Sequence, residues 1–186
     1  MPSSTQETPI LEFHPVTAER LADLGRFSEQ HGKFRYCSCM RWRMTSAECL
    51  FCRLIRGELS SHRVYEDGAF VVMLTIHPIN PGHLLVVPRA HIASFYAVED
   101  PLYTSMMLLV KRMALAIDAV FAPLQVVMHT SGVGNRHVHV HVLPVYGPYD
   151  VVPREVIDQQ EARTPSAQEL ATVARALTAY IDSHPP

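Results

Sequence analysis

The sequence predicts an α+β domain, an antiparallel sheet of about five strands with a long helix packed on it. Three observations lead there. Two strand-like segments meet at Asp67-Gly68, a tight-turn dipeptide that marks a hairpin. One long helix, opening at Asp100-Pro101, separates the first three strand-like segments from two more. The last segment, His137-Val-His-Val-His141-Val-Leu-Pro144, begins as a strict alternation of imidazole and valine. Successive strand side chains point to opposite faces, so the valines can enter a core while the histidines share the other face, about 6–7 Å apart. β-Branched valines favour that conformation over a helix.

Taken in order, residues 1–9 are polar and read as disordered. Thr17 suits the N-cap of a short helix with Leu21, Leu24 and Phe27 on one face and Gly32 at its end. Residues 35–43 are basic and carry Cys37, Cys39 and the only tryptophan, Trp42. Cys49-Leu-Phe-Cys52 leads into a short apolar turn or helix that stops near Gly57. Strands follow at 63–67 and 69–76, Pro78 and Pro81-Gly82 break the chain, and 83–88 is a third strand. The long helix, capped by Asp100, runs through Met106, Leu109, Met113, Ile117 and Val120 and stops before Pro123. A fourth strand covers 125–129, and a bend at Ser131-Gly-Val-Gly134 leads into the histidine strand. Thr164-Pro165 caps a final helix whose stripe of Leu170, Val173, Leu177 and Ile181 must bury in this domain or against a second subunit. The predicted organisation is an N-terminal extension (1–47), a central domain (48–147) and a C-terminal tail and helix (148–186), so helical extensions flank the sheet at both ends.

The chain has 186 residues, 48% of them apolar, enough for one domain with a sizeable core. A net charge of -2 argues against general nucleic-acid binding through a broad basic surface, while a small anionic ligand needs only a few local donors. No apolar run approaches the roughly 20 residues that span a bilayer, and residues 1–8 lack the apolar stretch of a signal peptide. A cytoplasmic location is the default expectation. In a reducing compartment, the bunching of Cys37, Cys39, Cys49 and Cys52 suggests metal ligation more than a disulfide framework.

Imidazoles in register can act as nucleophiles, acid–base groups or metal ligands near neutral pH. Read with Cys49-x-x-Cys52, Gly57-Glu58, Val64-Tyr-Glu-Asp67, Pro78-x-x-Pro-Gly-His83, Leu85-Val-Val-Pro88 and His91, the run His137-x-His-x-His141 occurs in the order found in the histidine triad (HIT) superfamily. Residues 48–147 resemble that family, whose members are nucleotide hydrolases and nucleotidyl transferases acting at an α-phosphate. The resemblance implies that His139 is the nucleophile, that His141 touches the α-phosphate or leaving group, and that His83 and His137 complete the constellation. It implies a structural zinc held by Cys49, Cys52, His91 and His137. It also places Leu50, Phe51, Leu54, Met73 and Ile76 around the base and Thr75 near the ribose; separately, glycines such as Gly134 allow close backbone approach to a phosphate, and Ser131 or Asn135 can donate hydrogen bonds to it. A homodimer through the long helix and adjacent strand is implied as well. Residues 10–43 resemble the opening segment of some GNAT-type acetyltransferases, but no Gly-rich pyrophosphate loop follows, so they read as an appended cap or a truncated fusion piece whose basic surface packs on a neighbour.

Two features depart from the family pattern. Thr75 stands where many members carry an acidic residue that holds the ribose hydroxyls, and Gly132-Val-Gly-Asn-Arg136 replaces the usual Gly-Gln lead-in to the triad. Three functions therefore compete: a nucleotide hydrolase or transferase, a zinc-stabilised nucleotide-binding protein with little turnover, and a cupin-like metal enzyme. The last wants a carboxylate a few residues past the histidine pair and many short strands, whereas the chain offers Asp150 at most and has long helices.

Overall fold

The computed structural model describes residues 46–130, 135–147 and 164–185. The expected helix after Thr17, the Cys37–Cys39 segment, the bend carrying Ser131 and Gly134, and residues 148–163 lie outside the described residues. The elements are α1 (Leu50–Ile55), β1 (Arg63–Glu66), β2 (Phe70–Leu74), β3 (Leu84–Pro88), a single 3-10 turn (Phe95–Ala97), α2 (Asp100–Phe121), β4 (Gln125–Thr130), β5 (Val140–Val145) and α3 (Ala167–Ser183). The five strands form one antiparallel sheet in the order β1-β2-β3-β5-β4.

The β1–β2 hairpin turns where Asp67-Gly68 predicts it. The Asp67 Oδ1 accepts from the backbone N–H groups of Ala69 (2.8 Å) and Phe70 (2.7 Å), an Asx-type closure that fixes the register. The central strands β2 and β3 are buried along their whole length, so their sequence reads as continuous apolar residues, and alternate residues serve two cores. Phe70, Val72, Leu74, Leu84 and Val86 face α2 and α3, whereas Val71, Met73, Leu85 and Val87 join Cys49, Phe51 and Cys52.

Helix α2 spans 22 residues, about 33 Å at 1.5 Å per residue, and crosses the sheet so that β5 can insert between β3 and β4. Its N-cap is Glu99 rather than Asp100, whose carboxylate sits in the first turn, where the exposed N–H groups still favour it. Ala122 ends the helix in the left-handed region (φ 46°), and Pro123 prevents continuation. The stripe of α3 buries in this domain: Leu170, Ala174, Leu177 and Ile181 pack into the core formed by α2 and the sheet. Its cap is Ser166, in a reciprocal capping box with Glu169, one to two residues beyond the expected Thr164-Pro165. Arg112 on α2 closes the far end of α3 by donating to the carbonyls of Ile181 (3.0 Å) and His184 (3.1 Å).

Gly82 is required twice over. Its φ is +96°, and a Cβ there would lie 2.7 Å from Cε2 of Phe121, the last residue of α2. The loop before β3 is thereby seated on α2 and presents His83 to the opposite face of the sheet. No helix among the described residues is long and apolar enough to cross a membrane.

Candidate active site and metal centre

The histidine run is shorter as a strand than its alternation suggests. β5 begins at Val140, which pairs with Val86 of β3 on one side and with Thr130, the last residue of β4, on the other. Residues 137–139 continue the chain toward the next segment, where the Val138 N–H donates to the Ile92 carbonyl (2.7 Å). The alternation of faces survives this change. Val140 and Val142 enter the helix-side core, while His141 lies opposite Leu85 on the other face. His139 and His141 have ring centroids 4.9 Å apart, and the Phe51 ring lies 4.6 Å from His139 and 5.7 Å from His137.

Hydrogen bonds fix each ring's tautomer. A carbonyl can only accept, so His139 Nδ1–H donates to the His137 carbonyl (2.8 Å) and Nε2 carries the lone pair. The Ile79 N–H donates to His83 Nδ1 (3.3 Å), which places the His83 proton on Nε2; that N–H donates to His141 Nδ1 (2.9 Å). Neutral His141 then holds its own proton on Nε2. The site thus juxtaposes a lone-pair nitrogen on His139 with an N–H donor on His141. The Pro-x-x-Pro-Gly-His motif has a physical reading here. Its loop supplies the backbone donor that sets this relay, and Asn80 Nδ2 anchors it to the Pro144 carbonyl (3.0 Å).

Burial, followed by the charge of His129, lowers His83 to about 4. Burial, then His129, His83 and His139, lowers His141 to about 3. Burial also holds His137 and His139 below 6.5, partly offset by their hydrogen bonds to backbone carbonyls. Neutral rings at pH 7 follow. In the unfolded chain these groups titrate near 6.5, so between pH 6.5 and about 4 the unfolded chain binds protons that the folded chain does not. Stability is therefore full above about 6.5 and falls as pH drops through that window. His83 alone contributes on the order of 3 kcal/mol at its acid end. Melts from pH 7.5 to 4 are expected to show this decline, and His83→Asn to flatten it relative to wild type.

Beside the histidine array lies a second cluster. Cys49, Cys52, His91 and His137 bring their ligand atoms within 4.8 Å of one another. The His137 Nε2–H donates to the Pro88 carbonyl (2.8 Å), leaving Nδ1 unprotonated toward Cys49 Sγ (3.4 Å) and Cys52 Sγ (3.5 Å); His91 Nδ1 lies 3.3 Å from Cys52 Sγ. A tetrahedral zinc with ordinary Zn–S and Zn–N lengths has S···N edges of about 3.6 Å, so the spacing fits. The carbonyl on the far side of His137 is the outer partner that metal-bound imidazoles usually have. Both thiols are buried and free, and burial followed by Cys49 pushes Cys52 up to about 11, an environment that wants a cation before it holds thiolates.

The remaining site residues spread around this face. Leu50 (40% exposed) and Ile76 (58%) are open to solvent, Leu54 and Thr75 are half-buried, and Phe51 and Met73 are buried in the small core. Thr75 Oγ1 accepts from the His77 N–H (3.3 Å), and the Asn135 carbonyl accepts from the His137 N–H (2.8 Å). Sequence reasoning missed His129, which sits opposite His141 in the β4–β5 register with its ring stacked on it, centroids 4.3 Å apart and planes 6° apart. The expected strand over 125–129 was the available signal, but its register depends on the bend between the strands.

A family model described as "HIT domain" matches residues 56–147. Protein hit of Bacillus subtilis is 34% identical over 107 residues, covering 55% of this chain and 74% of that protein. The adenosine 5'-monophosphoramidase HNT1 of Saccharomyces cerevisiae is 30% identical over 101 residues, covering 53% of this chain and 63% of the yeast protein. Among solved structures, a zinc-bound histidine triad family protein from Mycobacterium smegmatis superposes with a TM-score of 0.60 at 25% identity, over 75% of this chain and 99% of that one.

Proposed function

Because the chain belongs to the histidine triad (HIT) family, we propose that it cleaves a nucleotide conjugate at the α-phosphate through a nucleotidyl intermediate on His139. The observation that carries this reading is the tautomer pair, the lone pair on His139 Nε2 beside the N–H on His141 Nε2. In the first step His139 Nε2 forms a bond to phosphorus and the bond from phosphorus to the leaving group breaks. The leaving group takes its proton from solvent, while the His141 Nε2–H donates a hydrogen bond to the departing atom. Water then attacks the phosphorus, the N–P bond breaks, and a nucleoside monophosphate leaves with His139 restored. His83 holds His141 in its donor tautomer, and the strand platform keeps the attack in line.

The nucleoside is placed over α1 and the end of β2, against Leu50, Leu54, Thr75 and Ile76, with Phe51 and Met73 beneath; Ser131, Gly134 and Asn135 serve phosphate. Cys49, Cys52, His91 and His137 would hold zinc, which supplies a structural cross-link from α1 to the start of the histidine run. A reduced thiol pair suits a cytoplasmic setting. Exposed Leu124 and Met128 at β4 support a homodimer that uses that strand together with α2.

The test is AMP release from adenosine 5'-phosphoramidate and from a diadenosine polyphosphate. Release from at least one, with label from an α-phosphate-labelled substrate trapped on the protein by rapid quench, is the expected result. Nucleotide binding without release would favour the non-catalytic reading, which the engagement of Thr75 Oγ1 by its own turn already invites.

A further inference from the structure

His129 is not used by the mechanism above, yet it belongs physically to the histidine array. It pairs with His141 across the β4–β5 ladder, and the two rings stack face to face at 4.3 Å. Directly opposite residues of an antiparallel pair share a face, so His129 stands on the same side of the sheet as the site. From inside outward the rings run His83, His141, His129: the first is buried, the second half-buried, the third exposed.

The strand order adds a direction. The sheet reads β1-β2-β3-β5-β4. The nucleoside placement above lies at α1 and β2, and the phosphate-reacting rings lie at β5. A substrate laid across the sheet from nucleoside to α-phosphate therefore continues over β4, whose residue facing the reacting rings is His129. In-line displacement sets the leaving group opposite the attacking His139 Nε2, with the nucleoside oxygen an equatorial substituent, so the leaving group does not share the nucleoside's end of the sheet. The positive charge of His129 is felt by the inner rings, since it is among the causes that lower His83, His139 and His141.

We propose that His129 is a specificity residue that touches the leaving group and, as imidazolium, favours leaving groups carrying phosphate charge over neutral or cationic amines. This rests on the hydrolase reading and adds to it which conjugates the site prefers. The geometry carries it: one exposed ring, stacked on the hydrogen-bond-donor ring, at the leaving-group end of the sheet.

The experiment compares kcat/KM for a diadenosine polyphosphate, whose leaving group is anionic, with kcat/KM for adenosine 5'-phosphoramidate, whose leaving group is ammonia. The ratio is measured in wild type, His129→Asn and His129→Lys, each checked for folding by its melt. A charge-assisted contact predicts that His129→Asn lowers the polyphosphate-to-phosphoramidate ratio by about 10- to 100-fold and that His129→Lys restores part of it. Equal losses on both substrates would reduce His129 to a stacking support and overturn the proposal, as would an unchanged ratio. If wild type releases AMP from neither substrate, the hydrolase reading fails separately. Binding then decides His129: a preference for diadenosine polyphosphate over AMP that survives His129→Asn overturns the contact, and one that falls about tenfold upholds it.

Discussion

His139→Gly is expected to lower AMP release by about 10³-fold or more, and added imidazole to restore part of it. The argument is local. The His139 Nδ1–H bond to the His137 carbonyl leaves Nε2 as the only nitrogen of that ring able to attack phosphorus, and burial keeps it unprotonated at pH 7. No neighbour can replace it, because His141 presents a proton from Nε2 and spends Nδ1 on His83. Removing the ring leaves a space beside Phe51 that a free imidazole can enter, which separates lost chemistry from lost structure. His141→Asn should retain more activity toward a leaving group that departs readily without a proton than toward an amine. The reading fails if His139→Gly, folded by its melt, turns over at the wild-type rate.

The fold was legible where the signal is local and periodic. The Asp67-Gly68 turn, the long helix ending before Pro123 and the valine alternation of 138, 140 and 142 each depend on residues within one element. The misses are equally physical. Ser166-Ala-Gln-Glu169 spells a capping box, but Thr164-Pro165 just upstream is also a plausible helix start, and only the hydrogen bonds choose between them. The histidine strand starts three residues late, at Val140, which pairs with Thr130, the last residue of β4, a limit set by another segment. His91 could be aligned with the two cysteines only through the family resemblance; the structure brings the four side chains together by turning the chain after β3. The tautomer relay from Ile79 through His83 to His141 was invisible in sequence, since it depends on where one backbone N–H points. The stacking of His129 on His141 depends on the register across a bend, and the contact of Phe51 with His139 depends on docking of α1 on the sheet; neither has a pattern along the chain.

Removing metal from the Cys49, Cys52, His91 and His137 cluster should cost both stability and alignment of the nucleophile. A ligand bound a thousandfold above its dissociation constant stabilises by about 4 kcal/mol, which for a domain of this size corresponds to a Tm loss of about 8–16 °C on chelation. Cys52→Ser should give a similar loss and prevent its reversal by added zinc. Elemental analysis should find one zinc per chain, and cobalt substitution should produce a thiolate-to-metal absorption that Cys52→Ser abolishes. Metal binding must displace protons from buried thiols, so affinity falls as pH falls. The link to chemistry is covalent and short. His137 faces the sulfurs through Nδ1, and its carbonyl accepts the hydrogen bond from His139 Nδ1–H that fixes the tautomer of His139. Phe51, between the two cysteines in sequence, packs against both rings. Loss of the cross-link frees α1 and the start of the histidine run together, so the His139 ring signals in a nitrogen-15 spectrum should broaden or split on chelation while those of the helix-side core do not. An unchanged melt and spectrum after complete chelation would show that thiols and imidazoles hold this corner without a metal, and that His139 takes its aim from the sheet alone.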